Sequence, residues 1–235
     1  MYSHSEDIHN LKSAKIIWPL IFQIYKPSSI LDIGCGIGTW LKAAKDLGIY
    51  DIFGIDSNLV NQGLLSKYID DNEFLGHDLK LPFRLNRKFD LVVCLEVAEH
   101  LPVSSADILI QTLVSHSNVI LFSAAIPGQG GQNHINEQWP EYWANFFLNH
   151  NYVFLDIVRP LIWENSSIDF WYRQNLFLVV NADHSLAKLH SSSYQRLVHP
   201  ELLQSILIQN EKKIKSLNQQ LNIHPLKRWI KSLFY

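Results

Sequence analysis

The sequence has only two cysteines, Cys35 and Cys94, and this scarcity excludes a protein that is held together by disulfides. Neither cysteine has the paired spacing of a zinc site, and both lie in segments that are expected to be buried strands. A reducing compartment agrees with this use of cysteine. We therefore expect a cytoplasmic protein.

The sequence also lacks an excess of positive charge, because 20 Lys and Arg residues face 22 Asp and Glu residues. Binding to nucleic acid depends on neutralising phosphates, so no nucleic-acid partner is expected. Long apolar runs are missing as well, and the polar start "MYSHSEDIHN" has no secretory signal profile. These absences argue against an integral membrane protein and against export by a signal peptide.

What the sequence does contain is apolar residues, 47% of the chain, in a regular alternation of strand and helix patterns. The predicted strands lie at 30–33, 51–56, 73–77, 89–96, 118–125, 152–160 and 175–181. The predicted helices lie at 7–25, 38–47, 104–116 and 139–150. This order is typical of an α/β domain with a mostly parallel sheet, which we place at residues 1–182, before a helical extension at 183–235.

The first predicted strand runs into a turn with three glycines, in "ILDIGCGIGTW" at residues 30–40. A single glycine would be enough for a turn, so three at alternate positions suggest that a ligand approaches the backbone closely. A dinucleotide fingerprint would have its third glycine at position 39, where this sequence has Thr39, and this argues against a nicotinamide cofactor. About twenty residues later, Asp56 ends a strand and could accept hydrogen bonds from ribose hydroxyls or simply be a solvated acid.

Four motifs in order resemble class I S-adenosyl-L-methionine (SAM)-dependent methyltransferases over residues 28–181. They are "LDIGCGIG", "GIDSN", "HDL" and "FDLVVCLEVAEHLP". The resemblance implies SAM as cofactor and a Rossmann-like, doubly wound sheet of seven strands, mostly parallel with the last strand antiparallel. It also implies the cofactor-binding residues, which are Asp32, Gly34, Gly36, Gly38, Asp56, Asp78, Leu79 and Glu96. For Asp78, a plain turn or cap aspartate is the alternative.

Methyl transfer to a hydroxyl requires a base, and two histidines are candidates. His100 follows the fourth strand by about one turn, where it could instead cap the turn that follows. His134 lies in the polar loop at residues 127–143 with Glu137 three positions later. The sequence does not rank the two histidines. Asn133 and Asn136 of the same loop are predicted to contact the acceptor, unless the loop is merely solvated.

A second group of predicted acceptor contacts lies between the last two strands, at residues 162–175. Its aromatic rings suit the apolar faces of sugars, its arginine suits a phosphate or carboxylate, and the alternative is that the aromatics close the core. The residues are Trp163, Trp171, Tyr172 and Arg173. No carboxylate cluster has obvious metal-ligand spacing, so no metal ligands are predicted, and a metal-assisted mechanism is left as an unsupported alternative.

The leading functional hypothesis is O-methylation of a sugar hydroxyl on a nucleotide sugar or a growing glycan. The two loops resemble those of bacterial and large-virus methyltransferases that accompany glycan-assembly enzymes. Methylation of a quinone-like or other small metabolite is the alternative. A non-catalytic cofactor-binding module is a third interpretation, against which the complete glycine, acid and histidine set argues.

The C-terminal extension carries two further patterns. The first is a heptad row with one polar member, which predicts a homodimer helix and consists of Leu203, Leu207, Asn210, Ile214, Leu217 and Leu221. The second is "LKRWIKSLFY" at residues 226–235, a basic amphipathic segment that predicts peripheral contact with the inner face of a membrane and a lipid-linked acceptor. The alternative is that this segment docks on its own domain or on a partner.

Overall fold

The computed structural model describes residues 5–189 and 195–223, so the predicted membrane-contacting segment at 226–235 lies outside the described residues. The chain divides into two compact units, Met1–Leu197 and Val198–Tyr235. The first unit contains all seven strands and the predicted site residues. In the second unit the described residues from Pro200 to Ile223 form one long helix.

The strands are β1 (Ser29–Ile33), β2 (Asp51–Asp56), β3 (Phe74–Gly76), β4 (Leu91–Leu95), β5 (Val119–Ser123), β6 (Tyr152–Leu155) and β7 (Phe177–Asn181). The α-helices are α1 (Lys12–Ile24), α2 (Thr39–Asp46), α3 (Gln62–Leu65), α4 (Ala106–His116), α5 (Pro140–Asn149), α6 (Arg159–Ile162), α7 (Phe170–Asn175) and α8 (Pro200–Ile223). Short 3₁₀ turns lie at Asp71–Glu73, Ala98–His100, Val103–Ser105 and Ser185–Leu189.

The seven strands form one sheet in the order β3-β2-β1-β4-β5-β7-β6. β1 to β5 pair in parallel, whereas β7 is antiparallel to both of its neighbours. Every residue of β1, β4 and β5 is buried, as expected for central strands that are covered on both faces. The predicted doubly wound sheet with an antiparallel last strand is therefore confirmed.

Strand order reverses between β1 and β4, because β1 is followed along the chain by β2 on one side and pairs with β4 on the other. In open α/β sheets, ligands bind outside the carboxyl ends of the strands at such a switch point. The glycine turn follows β1, and Glu96 follows β4. The topology thus brings these two predicted parts of the site to one edge of the sheet.

Helices cover both faces of the sheet with separate apolar clusters. One cluster includes Ile17, Trp18 and Ile21 of α1, and the other includes Trp143 and Phe147 of α5. These side chains are almost completely inaccessible to solvent. Burying large apolar and aromatic groups supplies the main favourable free energy of folding, so the site is supported by two well-filled layers.

The short helices α3, α6 and α7 were not predicted, and two predicted elements have an end that differs by more than two residues. The first helix begins at Lys12 rather than at residue 7, because the preceding residues form local turns: His9 N donates to Ser5 O (2.8 Å) and Lys12 N donates to Asn10 Oδ1 (2.9 Å). β6 ends at Leu155, and the predicted strand tail instead begins the short helix α6. In both segments the apolar pattern alone does not show where the helix begins or where the strand ends.

No helix among residues 5–189 and 195–223 combines the length and the hydropathy that crossing a bilayer requires.

Candidate active site

The turn after β1 needs glycine for its own geometry. Gly34, Gly36 and Gly38 have positive φ angles of 84°, 53° and 84°. The N–H groups of Gly34 and Cys35 both donate to Ile55 O, at 2.7 and 3.1 Å, which fixes the turn against β2. A Cβ on Gly34 would lie 2.3 Å from Val97 Cγ2, so no larger residue fits there without movement. The glycines therefore place backbone at the switch point with no side chains in front of it.

Asp56 is held against this turn at the carboxyl end of β2. Its Oδ2 accepts from Gly36 N (2.7 Å) and its Oδ1 accepts from Ser57 N (2.6 Å). Burial raises the pKa of the Asp56 carboxyl, and these two N–H donors oppose the rise. Each carboxylate oxygen has a second lone pair, so Asp56 can still accept from two ligand hydroxyls. These remaining acceptor positions fit the two hydroxyls of the ribose in an adenosine cofactor.

The other residues expected to bind the cofactor have different environments. Asp32 is buried in β1, and burial, followed by the nearby Asp56 charge, holds its pKa well above the usual range. Asp78 follows β3 and is exposed; it accepts from Lys80 N (3.1 Å) and forms an ion pair with the Lys80 ammonium group. Leu79 packs against the second apolar cluster. Asp78 thus forms a turn of the kind that the alternative interpretation describes, and its contact with the cofactor stays a prediction.

Glu96 lies at the end of β4 with a positive φ of 54°, an unusual conformation for a residue with a side chain. Its carboxylate accepts from Gln129 Nε2 (2.8 Å) and from Asn175 Nδ2 (3.1 Å). Gln174 completes the network by donating to both amide oxygens at 3.1 Å. Burial raises the pKa of Glu96, and the amide donors oppose this rise. The network joins the loop after β5 to the end of α7.

The two candidate bases lie together. The ring centroids of His100 and His134 are 4.8 Å apart. Because a carboxylate only accepts, the 2.8 Å contact between His134 Nδ1 and Glu137 Oε1 places the proton on Nδ1. Glu137 is itself fixed by the N–H groups of Gly128 and Gly130, both at 2.7 Å. His134 therefore has an orienting carboxylate and presents Nε2 as its basic nitrogen.

Glu99 lies beside these histidines and was not singled out from the sequence. Its side chain is fully buried, and neither carboxylate oxygen makes a hydrogen bond of normal geometry within the described residues. Burial, reinforced by the charge of Glu96, holds the pKa of the Glu99 carboxyl well above its usual range. Glu99, His100 and His134 each offer one atom that could bind a metal ion, and these three atoms lie within 4.8 Å of one another.

The predicted acceptor contacts are distributed unevenly. Asn133 is exposed and has a positive φ of 61°, whereas Asn136 is buried and accepts from Gln138 Nε2 (3.0 Å). Trp163 and Trp171 are half-buried, and Tyr172 accepts from Trp40 Nε1 (3.2 Å). The last member, Arg173, is buried, and its Nη1 donates to Trp163 O (3.3 Å). Contacts of these residues with an acceptor stay predictions.

Sequence reasoning missed three buried polar residues of this site, which are Glu99, Gln174 and Asn175. A signal for the last two existed, because a polar pair directly before the apolar strand β7 is unusual in a buried segment. A signal for Glu99 also existed, since Glu96 and Glu99 are three positions apart after the same strand. Only the fold shows that both carboxylates lie close to the loop that carries His134.

A doubly wound sheet with a glycine turn and a strand-end acid at its switch point defines a Rossmann-like, nucleoside-binding domain. Residues 13–156 match a family model described as a methyltransferase domain, which is more than half of the chain. The chain belongs to this methyltransferase family. The glycine turn and Asp56 are suited to hold SAM, the cofactor that the sequence motifs imply.

Individual relatives are distant. Over 110 residues the chain is 30% identical to the ribosomal protein L11 methyltransferase of Fusobacterium nucleatum subsp. nucleatum, a match that spans 44% of this chain and about a third (35%) of that relative. Among solved structures, SAM-bound CalS10, an amino pentose methyltransferase from Micromonospora echinaspora, aligns with 77% of this chain and 98% of its own at a TM-score of 0.55 and 12% identity. The plantazolicin methyltransferase BpumL aligns with 73% and 84% of the two chains at a TM-score of 0.51 and 19% identity. These likenesses concern the fold.

Proposed function

We propose that the protein methylates a sugar hydroxyl on a glycan or nucleotide sugar, with a histidine as general base. The observation that carries this proposal is the pairing of His134 with Glu137 at the carboxyl-end edge of the sheet. Bound SAM supplies a methyl group on a sulfonium, and in-line displacement joins that methyl to the acceptor oxygen as the carbon–sulfur bond breaks. The chain must therefore orient the hydroxyl and take its proton.

His134 is the better base of the two when the site holds no cation. Its Nδ1–H is committed to Glu137, so its Nε2 accepts the hydroxyl proton and the imidazolium is stabilised by the carboxylate. This is the arrangement in which a base is oriented by a third group. His100, at a centroid distance of 4.8 Å, is placed to contact the same acceptor.

A polar acceptor is favoured by the amides around the base. Gln129, Gln174 and Asn175 form a connected network with Glu96, and Asn133 lies in the loop beside His134. Such groups donate and accept in the way that a polyhydroxyl ligand requires. The half-buried rings of Trp163 and Trp171 add aromatic surface that suits a sugar ring. CalS10 is described as acting on an amino pentose, so this fold accommodates a sugar in at least one distant neighbour.

Calorimetry with SAM, followed by single-turnover transfer of labelled methyl to an acceptor panel, tests the proposal. The panel contains nucleotide sugars, isolated glycans, a lipid-linked glycan and a quinol. We expect transfer to a sugar hydroxyl and a loss of about 10² to 10⁴ in rate for His134→Gln, with SAM affinity unchanged. His150→Gln, at the end of α5 and away from the cluster, is the matched control. Transfer to the quinol alone would overturn the sugar assignment.

A further inference from the structure

The cluster of Glu99, His100 and His134 combines two imidazoles and a carboxylate in one place. Their ligand atoms lie within 4.8 Å of one another. Ligands of a single first-row transition-metal ion, at about 2.0 to 2.2 Å from it, are separated by roughly 3 to 4 Å. Small side-chain rotations that move each ligand atom by about one ångström or less would therefore bring all three atoms within bonding distance of one ion.

Glu99 supplies an independent indication of a ligand. Its side chain is 0% exposed, and neither carboxylate oxygen has a hydrogen bond of normal geometry among the described residues. A buried carboxylate in such surroundings is costly, and buried charges in proteins are paired or bind metal ions. No lysine or arginine forms an ion pair with Glu99 in the described part of the chain. A bound cation would supply the missing counter-charge.

The backbone fixes the loop of His134 to Glu99. Ile135 N and Asn136 N both donate to Glu99 O, at 2.9 and 3.0 Å, so the histidine and the carboxylate keep their relative positions. Glu137 holds His134 through Nδ1 and leaves Nε2 as the ligand nitrogen. Carboxylate–histidine pairs of this kind orient imidazoles at metal sites and make them better ligands.

We propose that Glu99, His100 and His134 bind one divalent transition-metal ion, such as Mn²⁺, Co²⁺ or Zn²⁺, with Glu137 as a positioning residue. Two imidazoles and one carboxylate suit these ions and leave further coordination positions open. The catalytic role of the ion rests on the proposed function: it would bind the acceptor hydroxyl and make it more acidic. In that state His134 Nε2 binds the ion, and the hydroxyl proton passes to solvent instead of to the histidine.

The direct test is metal binding by the full chain, purified without a histidine tag and treated with a chelator. Calorimetric titration with Mn²⁺, and visible absorption during titration with Co²⁺, should both give one ion per chain. Glu99→Gln and His134→Ala should each weaken binding by at least tenfold, and Glu137→Gln should weaken it by about 10- to 100-fold. His150→Ala should bind as the wild type does. Because Glu99 is buried, circular dichroism must show that its variant folds; if it does not, His134→Ala decides.

The outcomes separate this inference from the proposed function. If the wild type binds neither ion, or if the folded variants bind as tightly as the wild type, the metal site is overturned. If the ion binds as expected but no sugar is methylated, the proposed function fails and the metal site stands. For the catalytic role, chelation should slow methyl transfer to the sugar to the rate that His134 supports as a base without the ion, and Mn²⁺ or Co²⁺ should restore the faster rate. Full activity after complete metal removal would overturn that role.

Discussion

At the scale of single residues, Asp56 performs two tasks with one carboxylate. It accepts hydrogen bonds from the N–H groups of Gly36 and Ser57, and each oxygen keeps a lone pair with which it can accept from a ribose hydroxyl. The strand end at Asp56 was predictable, because "DIFGID" has the apolar pattern of a strand with an acid at its end. The hydrogen bond from Gly36 N to Asp56 was not predictable, since the sequence does not show which backbone N–H group a side chain contacts.

Replacing Asp56 by Ala should weaken SAM binding by about 1.5 to 3 kcal/mol, because charge-assisted hydrogen bonds to ribose are lost. This corresponds to roughly 10- to 150-fold in Kd, which calorimetry measures directly. Asp51→Ala is the matched control, because Asp51 lies at the opposite end of β2 and pairs with Arg87 on the surface (2.6 Å). An unchanged Kd in a folded Asp56 variant would contradict its assignment to the cofactor.

His116 makes stability depend on pH through a different residue-scale mechanism. It is buried at the end of α4, where Leu85 N donates to Nε2 (2.8 Å), and Nδ1 lies 2.7 Å from Thr112 O. A neutral ring satisfies both contacts, whereas a protonated ring cannot accept from Leu85. Burial lowers the pKa of His116, and the nearby Arg84 charge lowers it further.

The folded state therefore binds protons less readily at His116 than the unfolded state does. The stability that the neutral ring contributes is complete above the unfolded pKa, about 6.5, and is lost as pH falls below it toward the folded pKa. His116→Gln removes this titration. Denaturant unfolding should show the variant less stable than the wild type at pH 7.5, by about 1 to 3 kcal/mol for the lost hydrogen bonds, and the gap should narrow at pH 5.5. A gap that widens on acidification would show that the sign is wrong.

At the scale of elements, the turn before α2 and the turn after it show two separate requirements for glycine. Gly34 and Gly48 both have positive φ angles, 84° and 92°. A Cβ at Gly34 would lie 2.3 Å from Val97, whereas a Cβ at Gly48 would have no atom within 4 Å. The two positions therefore differ in crowding but hardly in backbone conformation.

Alanine substitutions at these two glycines separate the requirements. Gly48→Ala should cost about 1 to 2 kcal/mol of unfolding free energy, which is the strain of a left-handed residue. Gly34→Ala should add roughly 1 to 3 kcal/mol, because the new methyl group must displace Val97. Chemical denaturation of both variants measures the difference. Equal losses would mean that Val97 moves without cost.

The elements themselves were largely predictable, and the exceptions have local causes. β4 and β5 are recognisable in the sequence, because a short continuous apolar run is typical of a parallel strand that is buried on both faces. The sequence prediction extends β6 too far, because Ile157 and Val158 are apolar. In the structure the chain leaves the sheet after Leu155, and Arg159 Nε donates to Asp156 Oδ1 (2.7 Å). The Glu99 cluster could not be predicted, since its members come from two separate loops and meet only after the sheet has formed.

At the scale of the whole molecule, α8 carries the predicted heptad row along a helix of 24 residues. Four of its apolar members, Leu203, Leu207, Ile214 and Leu217, are about half exposed, between 49% and 58%. A second copy of the same chain is the partner that this pattern fits, because the row repeats at alternating four- and three-residue spacing with Asn210 as a polar member that can fix register. Pairing two such rows would bury these side chains against each other.

We therefore expect a homodimer, of about twice the 27.2 kDa chain mass, in light scattering coupled to size-exclusion chromatography. Ile214→Glu places a charge in the apolar row and should shift the protein to the monomer mass at micromolar concentration, because a buried, unpaired carboxylate opposes pairing. Ser216→Glu is the matched control, since it adds the same charge to the same helix outside the row and should leave the dimer intact. A wild-type monomer at these concentrations, or equal masses for the two variants, would exclude α8 as the dimer contact.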